Sequence, residues 1–141
     1  MKKPLIRILC CLTASAAIYF TSCQSPISPP AGQIKDDPSF AQDIQPILTN
    51  NCTSYSCHGA AAQARMTLVQ SRAYASLVNV ASTEVPSKKR VLPFDAANSY
   101  LVIKIEGRQA VGARMPAATD RLTPDQIKLI KNWIGQGART P

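Results

Sequence analysis

The chain has 141 residues, a formal net charge of +8, five cysteines and one histidine. A chain of this length holds one ordinary domain, with or without a tail. Its 45% hydrophobic and 17% charged residues exclude intrinsic disorder throughout, and a single long apolar stretch excludes a multi-pass membrane protein. One histidine excludes a histidine-rich metal cluster, so any role for imidazole falls to His58.

Residues 1–22 have the layout of an export signal: Lys2, Lys3 and Arg7 start it, and an uncharged apolar run extends to Phe20. Phe20-Thr21-Ser22-Cys23 resembles a bacterial lipobox, with Phe20 where leucine is usual. That resemblance implies that Cys23 becomes an acylated N-terminus, anchored because each buried methylene contributes about 0.8 kcal/mol. Gln24 stands where an aspartate would signal inner-membrane retention. The expected place is therefore the cell envelope, periplasmic or anchored to the outer membrane, with the outer membrane favoured. A plain cleaved signal and an uncleaved anchor remain alternatives. Cys10 and Cys11 fall within the discarded apolar segment. Three of the 16 basic residues leave with it, so the remainder carries 13 basic and 8 acidic residues, a net +5.

Residues 23–38 form the expected linker. Pro26, Pro29, Pro30 and Pro38 forbid a helix or a central strand there. The folded domain is expected over 39–141. Ser39 caps a first helix that buries Phe40, Ile44, Ile47 and Leu48, with Pro46 as a flaw and Asn50-Asn51 as its end. A short second helix is expected around Ser71–Asn79, followed by a loop with Pro86, Lys88-Lys89-Arg90 and Pro93. Tyr100–Glu106 suits a helix or a strand. Helix is favoured because no partner strand is visible, with Asn98 or Ser99 as its cap. Thr123-Pro124-Asp125-Gln126 carries a capping box with proline at the first helical position. Ile127, Ile130, Trp133 and Ile134 share a face, and Gly135 or Gly137 ends the helix. The domain reads as all-α, with loops too long for a bundle packed only on itself.

The chemistry gathers at Cys52-Thr-Ser-Tyr-Ser-Cys57-His58-Gly59. Cys-x-x-Cys-His marks covalent c-type haem attachment: two thiols bond the porphyrin and the adjacent imidazole ligates its iron. This chain has four residues between the cysteines instead of two. A Cys52–Cys57 disulfide is the bland alternative in an exported protein. Zinc lacks a fourth ligand. Met115 lies 57 residues after His58, in Arg114-Met115-Pro116, where Pro116 keeps it extended. It is either a soft second axial ligand or a gap-filling core residue. Met66, eight residues from His58, is expected to pack on the histidine side.

From Phe40 to Ala138 the chain resembles the small cytochrome c-like domains of bacterial exported lipoproteins, the planctomycete-type cytochromes c among them. The landmarks, in order, are Asp43–Leu48, Cys52–Gly59, Leu68, Tyr74–Val78, Val91–Pro93, Ser99–Leu101, Arg114–Pro116 and Leu122–Ala138. Phe94 departs from the family, which has glycine there. The resemblance implies a small cytochrome c-like fold around one haem c held by Cys52 and Cys57. It also implies His58 and Met115 as axial ligands, and electron transfer by Fe(III)/Fe(II) cycling in place of catalysis. Ile44, Leu48, Ile130, Trp133 and Ile134 would be where the first and last helices cross, and the haem-free form is expected to fold poorly. Two other functions stay open: a haem sensor or peroxidase with a labile sixth site, and a haem-free surface lipoprotein acting as an interaction module. Lys88-Lys89-Arg90, Arg108, Arg114 and Arg121 either meet an acidic redox partner or form solvated loops. Nucleic acid is not expected as a partner, and Asp36, Asp37, Asp43 and Asp95 form no catalytic pair.

Overall fold

Pro46 decides how the first helix is built. The computed structural model describes residues 34–54, 56–117 and 121–140. The signal segment, Cys10, Cys11, Cys23 and the linker up to residue 33 lie outside the described residues. Ser39 caps as expected, its hydroxyl accepting from the Gln42 N–H at 3.5 Å. Phe40–Ile44 then winds as a π-helix, with the Ile44 N–H reaching back to the Ser39 carbonyl. The helix restarts as α1, Gln45–Cys52, with Pro46 in its first turn, where no amide donor is needed. The flaw is thus absorbed by a change of helical register. The end also differs from expectation: α1 runs past Asn50-Asn51 and carries Cys52 in its last turn.

A single turn over Gln63–Arg65, left-handed at Ala64 and Arg65, precedes α2, Ala73–Leu77, which is shorter than the 71–79 expected. Helix α3 covers Tyr100–Glu106, which settles the helix-or-strand ambiguity. Ser99 holds the N-cap position, yet its hydroxyl turns inward, accepting from the Leu92 N–H at 2.9 Å and donating to the Asp95 carbonyl at 2.8 Å. Helix α4, Pro124–Gly135, has both halves of the Thr123–Gln126 capping box. Among the described residues there are four α-helices and no strand, only isolated bridges between Val78 and Val91 and between Ala81 and Lys89. The domain is helical, as expected.

Ile44, Leu48, Ile130, Trp133 and Ile134 are all buried in one cluster, where α4 packs against the π-helical segment. Phe40 is its hub, with ring centroids 5.1 Å from Trp133 and 5.4 Å from Tyr74, the latter edge to face. Each such side chain, fully buried, contributes about 1.5–3 kcal/mol. The folded unit begins before Ser39. Pro38 is buried, Lys35 pairs with Asp43 at 2.8 Å, and Asn132 donates to the Lys35 carbonyl at 3.2 Å. The end of the expected linker is therefore part of the domain. No helix among the described residues is long and apolar enough to cross a membrane.

The turn at Phe94 forms with φ +67, the left-handed conformation that glycine adopts without strain. Its amide donates to the Ile134 carbonyl at 2.8 Å, which anchors the turn to the end of α4.

Candidate functional site

Cys52 stands at the end of α1, so its position is set by that helix's packing. The described residues on either side close the segment back on the helix: the Cys57 N–H donates to the Ser54 carbonyl at 2.8 Å, and the His58 N–H donates to the Cys52 carbonyl at 3.1 Å. The longer spacing is thus taken up locally, and His58 is held against the end of the helix. Gly59 has a steric role within the loop. A Cβ there would lie 2.5 Å from the Thr53 carbonyl oxygen, so the enlarged loop itself needs the missing side chain.

Cys52 and Cys57 are both free thiols in this structure. Burial, and then the neighbouring Cys57, push the Cys52 thiol up to about 11. Cys52 is therefore protonated at neutral pH, and the Ser54 hydroxyl donates to the Cys57 sulfur at 3.0 Å.

The His58 ring is buried and oriented. Its Nδ1 lies 3.1 Å from the Gln63 carbonyl. A carbonyl only accepts, so the proton sits on Nδ1 and Nε2 keeps its lone pair. Burial lowers the imidazole's pKa, against the opposing pull of the Gln63 and Met66 carbonyls. The ring is thus neutral at pH 7, as a metal-binding nitrogen must be. The His58 carbonyl accepts from Leu68 at 2.7 Å, and the buried Gln45 amide donates to the Leu68 carbonyl at 2.9 Å, so the first helix braces the loop.

Met115 reaches the same place from the far end of the chain. Its amide donates to the Lys104 carbonyl at 3.1 Å, and the Met115–Pro116 peptide is cis. Two adjoining cavities, of about 90 and about 300 Å³, share Cys52, His58, Ala64, Glu84 and Met115 in their walls; Cys57 lines the larger one. The larger is at the lower end of the range of small-molecule sites, about 300–1,000 Å³. Leu68, Leu77, Leu101 and Ile105 give the smaller one an aliphatic wall. Met66 also borders it and packs against the core. Among the described residues no three His, Cys, Asp or Glu side chains form a metal cluster. The donors that do converge are one imidazole nitrogen, thioether sulfur and two thiols. That set, beside an aliphatic wall, is one that could hold a c-type haem, with the two thiols for its covalent bonds and the imidazole and thioether for its iron.

Sequence reasoning missed the polar part of the wall. Lys104 is buried and pairs with Glu84 at 2.7 Å, and the Tyr100 hydroxyl donates to the same Glu84 oxygen at 2.9 Å. Burial alone would raise the Glu84 pKa, but hydrogen bonds from Lys104 and Tyr100 and the lysine charge bring it below its ordinary value. Burial and the Glu84 contact push Tyr100 up to about 12. Only the spacing of Tyr100 and Lys104, four apart on one helix face, hinted at this group.

The basic run divides. Lys89 is exposed, but Arg90 is buried and lines the smaller cavity. Its guanidinium donates to the carbonyls of Ser76 at 2.7 Å, Ala64 at 2.9 Å and Arg65 at 3.5 Å. Arg90 therefore does not belong to a surface patch. Ala62, Ala64 and Arg65 have φ of +46, +58 and +53, which costs about 1–2 kcal/mol for each non-glycine residue. Arg114 folds back onto the end of α3, donating to the Ile105 carbonyl at 3.1 Å, where the helix dipole favours a cation. Arg108 pairs with Glu106 at 2.7 Å.

Comparison with protein-family models, with curated proteins and with solved structures gives no match.

Proposed function

We propose that residues 34–140 form a monohaem c-type cytochrome domain of cytochrome c-like fold that carries electrons and has no bond chemistry of its own. The observation that carries this is the convergence of Cys52, Cys57, His58 and Met115 on adjoining cavities with an aliphatic wall. Cys52 and Cys57 would hold haem c through thioethers, and His58 Nε2 and Met115 sulfur would be its axial ligands. When bound, the haem supplies one reversible electron. Everything else is done by the chain. The Gln63 carbonyl keeps the His58 proton on Nδ1 and makes Nε2 more basic. Lys104 anchors the Met115 segment through the backbone. The aliphatic wall keeps water away, and a methionine ligand raises the iron's potential.

The acylated Cys23 and the Pro-rich linker complete the proposal as an envelope-anchored carrier, on the outer membrane, whose exposed lysines would face an acidic redox partner. Palmitate labelling, lost in Cys23→Ser, tests the anchor. For the haem, the chain is made with the haem-attachment machinery and analysed by denaturing-gel haem staining and the pyridine haemochrome spectrum. Covalent haem should be present and should disappear in Cys52→Ala/Cys57→Ala. Its absence from the wild type overturns the proposal in favour of an interaction module.

A further inference from the structure

We infer that Arg90 is a positioning residue for His58, acting through the strained turn Gln63–Arg65; the inference rests on the haem reading above. The Gln63 carbonyl that accepts the His58 Nδ1 proton belongs to a turn in which Ala64 and Arg65, like Ala62 just before it, are left-handed and none is glycine. Such a turn does not hold itself, because each of these side chains favours another basin. The Arg90 guanidinium holds it from outside. It binds the carbonyls of Ala64 and Arg65, the two residues that follow Gln63, and ties them to the Ser76 carbonyl in the next segment. The planar fork of arginine makes these contacts at once, and a lysine ammonium cannot reproduce them. Arg90 is buried, so water does not replace the bonds it makes. With the pin removed, the turn relaxes and the Gln63 carbonyl leaves the imidazole. His58 then loses both its fixed orientation and the added basicity that favours Fe(III).

The experiment uses the full-length, haem-loaded protein and compares wild type with Arg90→Lys, Arg90→Lys/Ala64→Gly and Arg90→Lys/Ala64→Gly/Arg65→Gly. Lysine keeps the charge, so a change in potential does not come from charge removal. Haem content is measured first, then His58 Nδ1–H exchange by NMR of the reduced protein, then the midpoint potential. In Arg90→Lys the proton should exchange about tenfold faster, the response to losing one net hydrogen bond, and the potential should rise. The glycine variants should restore both, because glycine adopts the turn without a pin. Arg90→Lys with wild-type exchange and potential would overturn the inference, and so would glycine variants that restore nothing. Should Arg90→Lys alone not accumulate as a haem protein, the triple variant decides: its recovery supports the strained-turn mechanism and its failure overturns it. A wild type without haem overturns the haem reading and this inference with it, whereas haem in the wild type with an unaltered Arg90→Lys overturns the inference alone.

Discussion

The Met115 amide donates to the Lys104 carbonyl at 3.1 Å, so a loop residue far from His58 in sequence is fixed to α3 at the cavity wall. The same lysine extends its side chain to Glu84 at 2.7 Å. One residue of α3 therefore organises both the candidate sixth ligand and the polar wall.

If the domain carries haem c as proposed, Met115→Ala should leave it covalently attached and remove methionine ligation. The charge-transfer band of methionine-bound ferric haem should vanish, cyanide should bind the ferric form readily, and the potential should fall, because methionine ligation raises it. Optical titration and voltammetry check this. A variant that keeps the band would move the ligand role to Met66 or elsewhere. An open sixth site already present in the wild type would favour a sensor or peroxidase.

Glu84→Gln leaves the Lys104 ammonium buried without its counter-charge. The expected loss is about 2–3 kcal/mol, between the values for exposed and buried pairs, since Glu84 keeps partial contact with solvent. In the wild type the Glu84 carboxylate has a folded pKa below its ordinary 4.5. Its stabilisation is complete above that value and disappears as pH falls through the lower folded value. In the haem-free chain His58, depressed below 6.5, adds a second loss beginning as pH falls under that value. Thermal melts of the haem-free chain across this range should show both losses, and Glu84→Gln should lack the more acidic one.

Gly137→Ala should destabilise the domain by about 1–2 kcal/mol. Gly137 has φ +98, and a Cβ there would lie 2.6 Å from the tip of the Phe94 ring. The Phe94 side chain is 77% exposed, so Phe94→Ala can relieve the contact at little cost to the core. Chemical denaturation of the double variant should recover the steric part of the loss and leave the backbone part.

Without haem the domain should unfold at a lower temperature and less cooperatively. Cys52, His58, Met66 and Met115 all line one cavity, and a haem held there would add packing contacts to each of them and stabilise the folded state by binding it. Circular dichroism of Cys52→Ala/Cys57→Ala made without attachment machinery measures it. A native-like cooperative melt would show that the helices suffice alone.

Local chemistry settled much of this protein from the sequence by itself. Thr123-Pro124-Asp125-Gln126 encodes the start of α4 because capping groups act within four residues, and the apolar spacing of Ile44, Leu48, Ile130, Trp133 and Ile134 marks the packed faces. The Cys52–Gly59 segment named the candidate site for the same reason. Pro46 was visible as a flaw, but the π-helical register that absorbs it depends on how the segment packs against α4. Arg90 read as part of a basic surface run because charge is counted along the chain, whereas burial is decided by what folds over it. The Lys104–Glu84–Tyr100 group and the hold of Lys104 on Met115 join residues far apart in sequence, and neither composition nor periodicity carries that distance. Only the tertiary structure brings together the residues around the cavity, because a cavity wall is assembled from segments whose separation in sequence is unrelated to their separation in space.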